Sequence, residues 1–184
     1  MTSQTPNAAT GPRSPGSDLV QPMELLYRSH WVGMVRLSYL LIDDHEVAED
    51  IVQEAFVALS QRWGRLKSED AAVAYLRTSV VNGSRSALRR RFVATRASRF
   101  LAAGTVESAD QVVIRNDEHR RVLAATGSLP VRQREVVVLR YWVGLSEAEI
   151  ASTLRVSVGT VKSAASRARK AIQLSLEADD GYGS

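Results

Sequence analysis

Apolar residues recur at helical spacing between residues 23 and 176, and no stretch alternates in the manner of a β-strand. The strongest pattern predicts a helix with one apolar face, formed by Ala48, Ile51, Val52, Ala55, Phe56 and Leu59. A capping box of Asp43 and Glu46 is predicted to start this helix. Upstream, a long helix carries Leu26, Tyr27, Trp31, Val35, Leu37 and Leu41, with a kink or interruption expected near Gly33.

A third helix is predicted after Ser68, a good N-cap that is followed by acidic residues in the first turn. It runs to about residue 91, with an apolar face of Tyr75, Leu76, Val80 and Leu88. A second helical set begins near Asp117, and Pro130 suits the first turn of a helix that continues to Gly144. Two short helices follow, capped by Ser146 with Glu149 and by Ser157. Their predicted buried residues are Ile150, Ala151, Leu154, Val158, Val161, Ala165, Ala168 and Ile172.

These elements predict an all-α protein with two small helical domains joined by a flexible linker. The first domain covers residues 23–92 and the second covers residues 117–176. Residues 93–116, rich in Ala, Thr, Ser and Gly, form the predicted linker. Residues 1–22 hold four of the five prolines and are expected to be a disordered tail, and residues 177–184 a short C-terminal tail.

Composition narrows the possible functions. The net charge of +4 and the pI of about 9.8 fit an acidic partner such as nucleic acid. The absence of cysteine excludes disulfides and thiol chemistry, and without a membrane span or signal peptide the expected compartment is the cytoplasm. His30, His45 and His119 are scattered, and there is no P-loop or other nucleotide or hydrolase motif. We therefore expect no metal, no cofactor and no enzymatic activity.

The two short helices near the C-terminus have the spacing of a helix-turn-helix, a motif whose second helix enters the DNA major groove. Between Ile150 and Leu176 there are five basic residues and no acidic one. Such a helix can lie close to phosphates and present polar side chains to base edges. The alternative is an ordinary three-helix bundle with a solvated basic face.

The first domain is divided by charge. Residues 43–54 contain six carboxylates and no Lys or Arg, whereas residues 71–106 contain seven arginines and no Asp or Glu. The acidic helix is either a solvated face or a docking surface for a basic protein. The run Arg89, Arg90 and Arg91 either complements the C-terminal end of a helix dipole or contacts phosphates.

Three segments carry a family resemblance: AEDIVQEAF at 48–56, AYLRTSVVNGSRSALRRR at 74–91 and LSEAEIASTLRVSVGTVKSAASRARKAI at 145–172. Together they resemble an extracytoplasmic function (ECF) sigma factor of the sigma-70 family. The resemblance implies that the first domain, region 2, docks on the clamp coiled coil of the largest subunit of core RNA polymerase. The matching positions are Asp50, Gln53 and Glu54, with Phe56 in the core. The flap of the second subunit and an anti-sigma factor are further partners that the family suggests.

The same resemblance implies two contacts with promoter DNA. Region 2 melts the minus ten element and holds its non-template strand, and the matching positions are Lys67, Tyr75, Asn82, Arg85, Ser86 and Arg89. Tyr75 stands where many relatives have tryptophan, and both it and Asn82 also have plain structural interpretations. Region 4 reads the minus thirty-five element, and its matching positions are Thr160, Lys162, Ser163, Ser166 and Arg167. Ala164 and Ala165 depart from the larger residues that relatives often carry there.

The main alternative is a stand-alone helix-turn-helix repressor that acts without polymerase, with the first domain serving in dimerisation or sensing. A helical nucleic-acid enzyme is disfavoured because the carboxylates form no ordered catalytic or metal-binding set. Trp31, Trp63 and Trp142 are expected in the core or between the domains rather than stacked on bases.

Overall fold

The computed structural model describes residues 17–98 and 117–181, and within these ranges it is all-α, as predicted. The helices are α1 Ser17–Ile42, α2 His45–Ser60, α3 Glu69–Ser98, α4 Asp117–Gly127, α5 Val131–Val137, α6 Glu147–Leu154 and α7 Val158–Gly181. A 3₁₀ turn, Trp63–Arg65, lies between α2 and α3, and a π-helical turn, Val138–Trp142, extends α5. No helix in the described ranges is long and apolar enough to cross a bilayer.

Helices α1, α2 and α3 pack together as the N-terminal domain. The predicted apolar face of α2 is confirmed, since all six of its residues are buried. A buried hydrogen bond joins the hydroxyl groups of Ser38 in α1 and Ser84 in α3 at 3.1 Å. The domain therefore combines an apolar centre with one satisfied polar pair, as buried hydroxyls require.

The junction between α1 and α2 differs from the prediction by one residue. Asp43 has a φ of 56°, in the left-handed region, and its N–H donates to the carbonyl of Tyr39. The N-cap of α2 is instead Asp44, whose carboxylate accepts from the N–H of Val47 at 3.1 Å. The predicted box of Asp43 with Glu46 is wrong because Asp43 serves to end α1, a conformation that aspartate tolerates better than most residues.

Three helix ends also differ from the predicted segments. α1 begins at Ser17, inside the expected tail 1–22, and contains Pro22 as its sixth residue. It also runs through Gly33 without interruption. α3 continues to Ser98, into the predicted linker 93–116, and α7 continues to Gly181, beyond the predicted domain end. Alanine and arginine are good helix formers, which explains the extension of α3. The described ranges leave out residues 1–16 of the predicted tail, residues 99–116 of the predicted linker, and residues 182–184.

Helices α4 to α7 form the C-terminal domain. The predicted capping box at α6 is confirmed: Ser146 caps the helix, and Glu149 reaches back to the Ser146 N–H at 2.9 Å. Ser157 likewise caps α7 by accepting from the N–H of Thr160 at 3.1 Å. Of the predicted buried residues, Val158 is 41% exposed because it lies in the first turn of α7, before the helix reaches the core.

The two domains are packed against each other. α3 contacts α6, and α1 contacts α4, α5 and the π-helical turn. One continuous apolar cluster includes Val80 and Val81 of the N-terminal domain together with Val138, Ile150 and Leu154 of the C-terminal domain. The interface is thus part of the main core.

A glycine in α3 allows close packing with α2. A Cβ atom built on Gly83 would lie 2.7 Å from Cγ2 of Ile51, whereas one on Gly33 meets nothing within 4 Å. We expect Gly83→Ala to lower the free energy of unfolding by about 1–3 kcal/mol, because the Ile51 side chain is β-branched and stiff. Gly33→Ala, the matched control, should raise it by about 0.5–1 kcal/mol. Urea unfolding followed by circular dichroism measures both, and a Gly83→Ala protein as stable as wild type would contradict the close packing.

Candidate functional site

The acidic face of α2 is open to solvent. Asp50, Gln53 and Glu54 are all exposed and lie three or four residues apart, so they share one side of the helix. With Val57, Ala58 and Gln61 they line a shallow groove. Phe56 faces the opposite way, is 7% exposed, and packs against the ring of Tyr27 at a centroid distance of 4.9 Å. The residues predicted to dock are therefore exposed on α2, whereas Phe56 lies in the core, as predicted.

The loop between α2 and α3 borders an open cavity. The cavity has a volume of about 720 Å³ and lies between the start of α1 and the loop, and Lys67 is among its lining residues. Its lining mixes apolar side chains with Lys67, Ser29 and Glu69, a composition suited to a planar, polar-edged ligand such as a nucleobase. Tyr75 is partly buried against the core, with the Arg62 guanidinium 5.4 Å from its ring centroid. Tyr75 therefore has the structural role that the sequence left open.

Three of the predicted minus ten residues share a stripe on α3. Asn82 and Arg89 are exposed and Ser86 is half-buried, and their spacing of four and three residues places them on one face. This face carries a donor and acceptor amide, a hydroxyl and a positive charge. It can hydrogen-bond a base edge and hold a phosphate next to it.

The structure gives Arg85, another of the predicted minus ten residues on α3, a protein partner. Its Nε and Nη2 donate to the two carboxylate oxygens of Glu135 in α5, the second at 2.8 Å. Glu135 is 2% exposed and also accepts from Arg132 at 3.2 Å. The sequence carries no signal for this pair, because its members lie 50 residues apart and Glu135, three residues after Arg132, has the spacing of a surface ion pair within one helix.

Two further arginines are half-buried at the domain interface. Arg134 donates to the carbonyl of Leu41 at 2.8 Å and to that of Gly127. Burial lowers the pKa of Arg134, and the nearby charge of Asp43 opposes this. Burial also lowers the pKa of Arg77, which faces Glu149. Both side chains remain charged at neutral pH, and the hydrogen bond of Arg134 ties α5 to the end of α1.

The capping carboxylate of α6 is held ionised. Hydrogen bonds from the Ser146 side chain and backbone lower the pKa of Glu149, and the charge of Arg77 adds to the effect. Since the pKa falls on folding, this cap stabilises α6 above the ordinary pKa of glutamate and is lost as the pH drops below the folded value. The start of the helix-turn-helix is thus fully capped at neutral pH.

The outer face of α7 presents all the predicted minus thirty-five residues to solvent. Thr160, Lys162, Ser163, Ser166 and Arg167 are exposed. Ala164 and Ala165 are 2% and 7% exposed, so these departures from the family pattern lie in the core and not on the exposed face of α7. The ammonium group of Lys162 is 3.8 Å from a carboxylate oxygen of Glu147, which also binds Arg140. Within the described ranges, no group of His, Asp and Glu side chains could hold a metal ion.

Comparison with known proteins gives matches over both domains. Residues 26–92 match the family Sigma-70 region 2, and residues 119–172 match the family Sigma-70, region 4. The RNA polymerase sigma-E factor of Streptomyces antibioticus is 30% identical over 88% of this chain and 88% of that protein. The ECF RNA polymerase sigma factor SigM of Mycobacterium tuberculosis is 31% identical over 78% of this chain and 71% of the SigM chain.

Two solved structures are similar over most of the chain. The sigma factor RpoE from Bartonella quintana, in complex with the anti-sigma factor NepR, matches with a TM-score of 0.66 and 25% identity, covering 89% of this chain and 99% of that one. CnrH, in complex with the cytosolic domain of CnrY, matches with a TM-score of 0.63 and 28% identity over 89% and 92%. With both sigma-70 regions matched in order and relatives of this identity and coverage, the chain belongs to the ECF RNA polymerase sigma factors of the sigma-70 family.

Proposed function

We propose that this sigma factor divides its task among three exposed surfaces. The acidic face of α2 docks on the clamp coiled coil of the polymerase. The minus ten strand is held by the loop before α3, the polar stripe of α3 and the neighbouring Arg85. The outer face of α7 reads the minus thirty-five element. As a member of its family, the chain binds core RNA polymerase and directs promoter recognition, melting and initiation.

The observation that carries this division is the separation of charge in the folded chain. Asp50 and Glu54 are exposed on α2, whereas Arg89 on α3 and the basic residues of α7 are exposed on other helices. An acidic face repels nucleic acid and suits a basic protein partner, while the basic faces attract phosphates. The two kinds of partner can therefore be bound at the same time.

The sigma assignment also decides against a stand-alone repressor. A repressor of the helix-turn-helix type needs only a dimer and its operator, so it has no use for a region 2 domain that matches the family over residues 26–92. We further assign the chain no enzymatic activity, since polymerisation belongs to the core enzyme, and place it in the cytoplasm with its polymerase. Because the similar RpoE structure is a complex with the anti-sigma factor NepR, an anti-sigma factor is a natural partner here as well.

Runoff transcription tests the proposal directly. The full chain, core polymerase and a pool of genomic promoter fragments should give discrete transcripts that disappear when the chain is omitted. The chain should also copurify with core polymerase in a one-to-one complex. Tight binding of the chain alone to a palindromic operator, with no transcript from any fragment, would instead support the repressor.

Substitutions in α7 should weaken upstream recognition. We expect Arg167→Ala or Lys162→Ala to reduce promoter affinity of the holoenzyme by about 1–3 kcal/mol for whichever side chain donates two hydrogen bonds to one base. A residue that touches only phosphate should instead give a smaller loss with a reduced salt dependence. Competition with promoters mutated in the upstream element separates the two cases. Gln173→Ala, at an exposed position further along α7, is the control. Unchanged affinity in both variants at low and moderate salt would show that α7 is not the reader.

A further inference from the structure

The turn of the helix-turn-helix contains an arginine in an unfavourable backbone conformation. Arg155 follows α6 with a φ of 54° and a ψ of 51°, in the left-handed region. Its N–H donates to the carbonyl of Ser152 at 3.2 Å, and the N–H of Val156 donates to that of Ala151 at 3.0 Å. These two hydrogen bonds form a Schellman motif, whose left-handed position favours glycine because a Cβ atom is crowded there. The turn therefore requires this conformation but not an arginine.

The side chain of Arg155 does not contribute a polar contact to the fold. It is exposed, and within the described ranges it forms no hydrogen bond or ion pair. Three arginines that precede it in the same domain differ in this respect, since Arg132, Arg134 and Arg140 each bind a carboxylate or a carbonyl. The strained backbone at Arg155 is thus not offset by any interaction of its guanidinium inside the described part of the chain.

The position of Arg155 places it beside the DNA backbone. Ser157, two residues later, caps α7, and Thr160 is the first of the exposed residues assigned to the minus thirty-five element. In a helix-turn-helix, the second helix contacts base edges with its N-terminal residues, whereas the first helix crosses the sugar–phosphate backbone. The turn that joins the two helices therefore lies next to the phosphates at the edge of the groove.

The charges around the turn favour a phosphate as the partner of Arg155. Residues 150–176 include five basic residues and no acidic one. The carboxylates of Glu147 and Glu149 lie at the other end of α6, where Arg140 and Ser146 bind them. A guanidinium with unoccupied donors can bind a phosphate through two parallel, charge-assisted hydrogen bonds.

We infer that Arg155 binds a backbone phosphate of the duplex beside the minus thirty-five element. The contact strengthens binding and fixes the position of α7 in the groove. It carries no sequence information, because phosphates are the same at every base pair. Arg155 is thus a DNA-binding residue that lies outside the exposed face of α7. The inference rests on the proposed role of α7 as the reader of this element.

A role of Arg155 in the fold alone predicts a different result for one substitution. Glycine adopts the left-handed conformation without strain, so Arg155→Gly should unfold at the same urea concentration as wild type or a higher one. If Arg155 serves only to end α6, this variant should bind DNA as wild type does. If Arg155 holds a phosphate, the variant should be stably folded and bind more weakly. Arg155→Asn, which also tolerates the conformation, replaces it if glycine lowers the urea midpoint.

Binding is measured with holoenzyme made from the full chain and core polymerase. The probe is a labelled duplex fragment of a promoter found by runoff transcription, and its affinity is determined between about 50 and about 200 mM salt. Arg155→Gly is compared with Arg155→Lys, which keeps the charge. Arg28→Gln, which removes one positive charge from an exposed position of α1 in the other domain, is the control.

We expect Arg155→Gly to bind about three- to tenfold more weakly at the lower salt concentration, between the effects of losing an exposed ion pair and a hydrogen bond to a charged group. The slope of log affinity against log salt should become shallower by about 0.9, the value for one phosphate. Both changes should persist on a fragment with a mutated minus thirty-five element. Arg155→Lys should keep the wild-type slope, since an ammonium group also binds phosphate, and Arg28→Gln should change neither quantity.

Neutral methylphosphonate linkages then locate the contact on the DNA. Each phosphate along the minus thirty-five element is replaced in turn, and one replacement should weaken wild-type binding by the same factor as Arg155→Gly. At that position the glycine variant should lose no further affinity, because the two changes remove the same interaction.

Three results would overturn the inference. The first is wild-type affinity and salt slope in stably folded Arg155→Gly, and the second is an equal loss in Arg155→Lys. The third is a set of methylphosphonate effects that add to that of Arg155→Gly at every position. The assignment of α7 is tested separately, since a loss in the Lys162 or Arg167 variant without one in Arg155→Gly would overturn only the inference.

Discussion

Replacing Asp50 and Glu54 together by arginine is expected to abolish association with core polymerase while leaving the chain folded. Both side chains are exposed, and neither belongs to the buried face of α2. The substitution converts an attractive surface into one that repels a basic partner, and juxtaposed like charges in an interface cost several kcal/mol. Surface substitutions away from the core change stability by only about 0.5 kcal/mol, so the effect on binding should be much larger than that on folding.

Copurification and fluorescence anisotropy with labelled sigma factor measure the loss. The control is the double variant Glu24→Arg with Glu177→Arg, which changes the net charge by the same amount at exposed positions of α1 and α7. It removes a surface ion pair between Glu24 and Arg28 and an exposed hydrogen bond from Gln173 to Glu177, and such surface interactions contribute little to stability. Normal polymerase binding by a folded Asp50 and Glu54 variant would falsify the docking assignment.

Local features of the chain were predictable from the sequence because short-range physics determines them. The apolar face of α2 follows from helical periodicity, and the caps at Ser68, Ser146 and Ser157 follow from side chains that satisfy free N–H groups at helix starts. The exposed face of α7 follows from the same periodicity. For these elements the sequence carries both the signal and its cause.

Features that depend on distant partners were not predictable. Periodicity shows that α3 and α6 each have an apolar face, but it does not show that these faces meet. The role of Glu135 depends on Arg85, which lies 50 residues away in the sequence and is brought beside it only by the fold. The left-handed turn at Asp43 was missed for a related reason: two adjacent aspartates can each cap a helix, and packing selects Asp44.

Asn82→Ala is expected to spare polymerase binding and upstream recognition yet impair strand opening. Asn82 is exposed on α3, nearly one turn before Arg85, and an exposed side chain can be truncated with little effect on the fold. Its amide can donate to and accept from one base edge, the combination that an unpaired base requires. Losing that contact should reduce transcription from duplex promoters by about tenfold to a hundredfold, equivalent to 1–3 kcal/mol for a base contact.

Arg85→Ala should show the same defect, but Glu135 complicates its interpretation. Removing one partner of a buried ion pair can cost about 3–5 kcal/mol because an unpaired charge remains. The double variant Arg85→Ala with Glu135→Gln removes both charges and should fold well, so its opening defect relative to Glu135→Gln alone reports the strand contact.

Templates with a premelted minus ten bubble then separate two roles of Asn82 and Arg85. Recovery on the bubble would show that Asn82 and Arg85 act in opening, whereas a persistent defect would show that they hold the base itself. Wild-type transcription from duplex promoters by both the Asn82 variant and the double variant would remove these residues from the site.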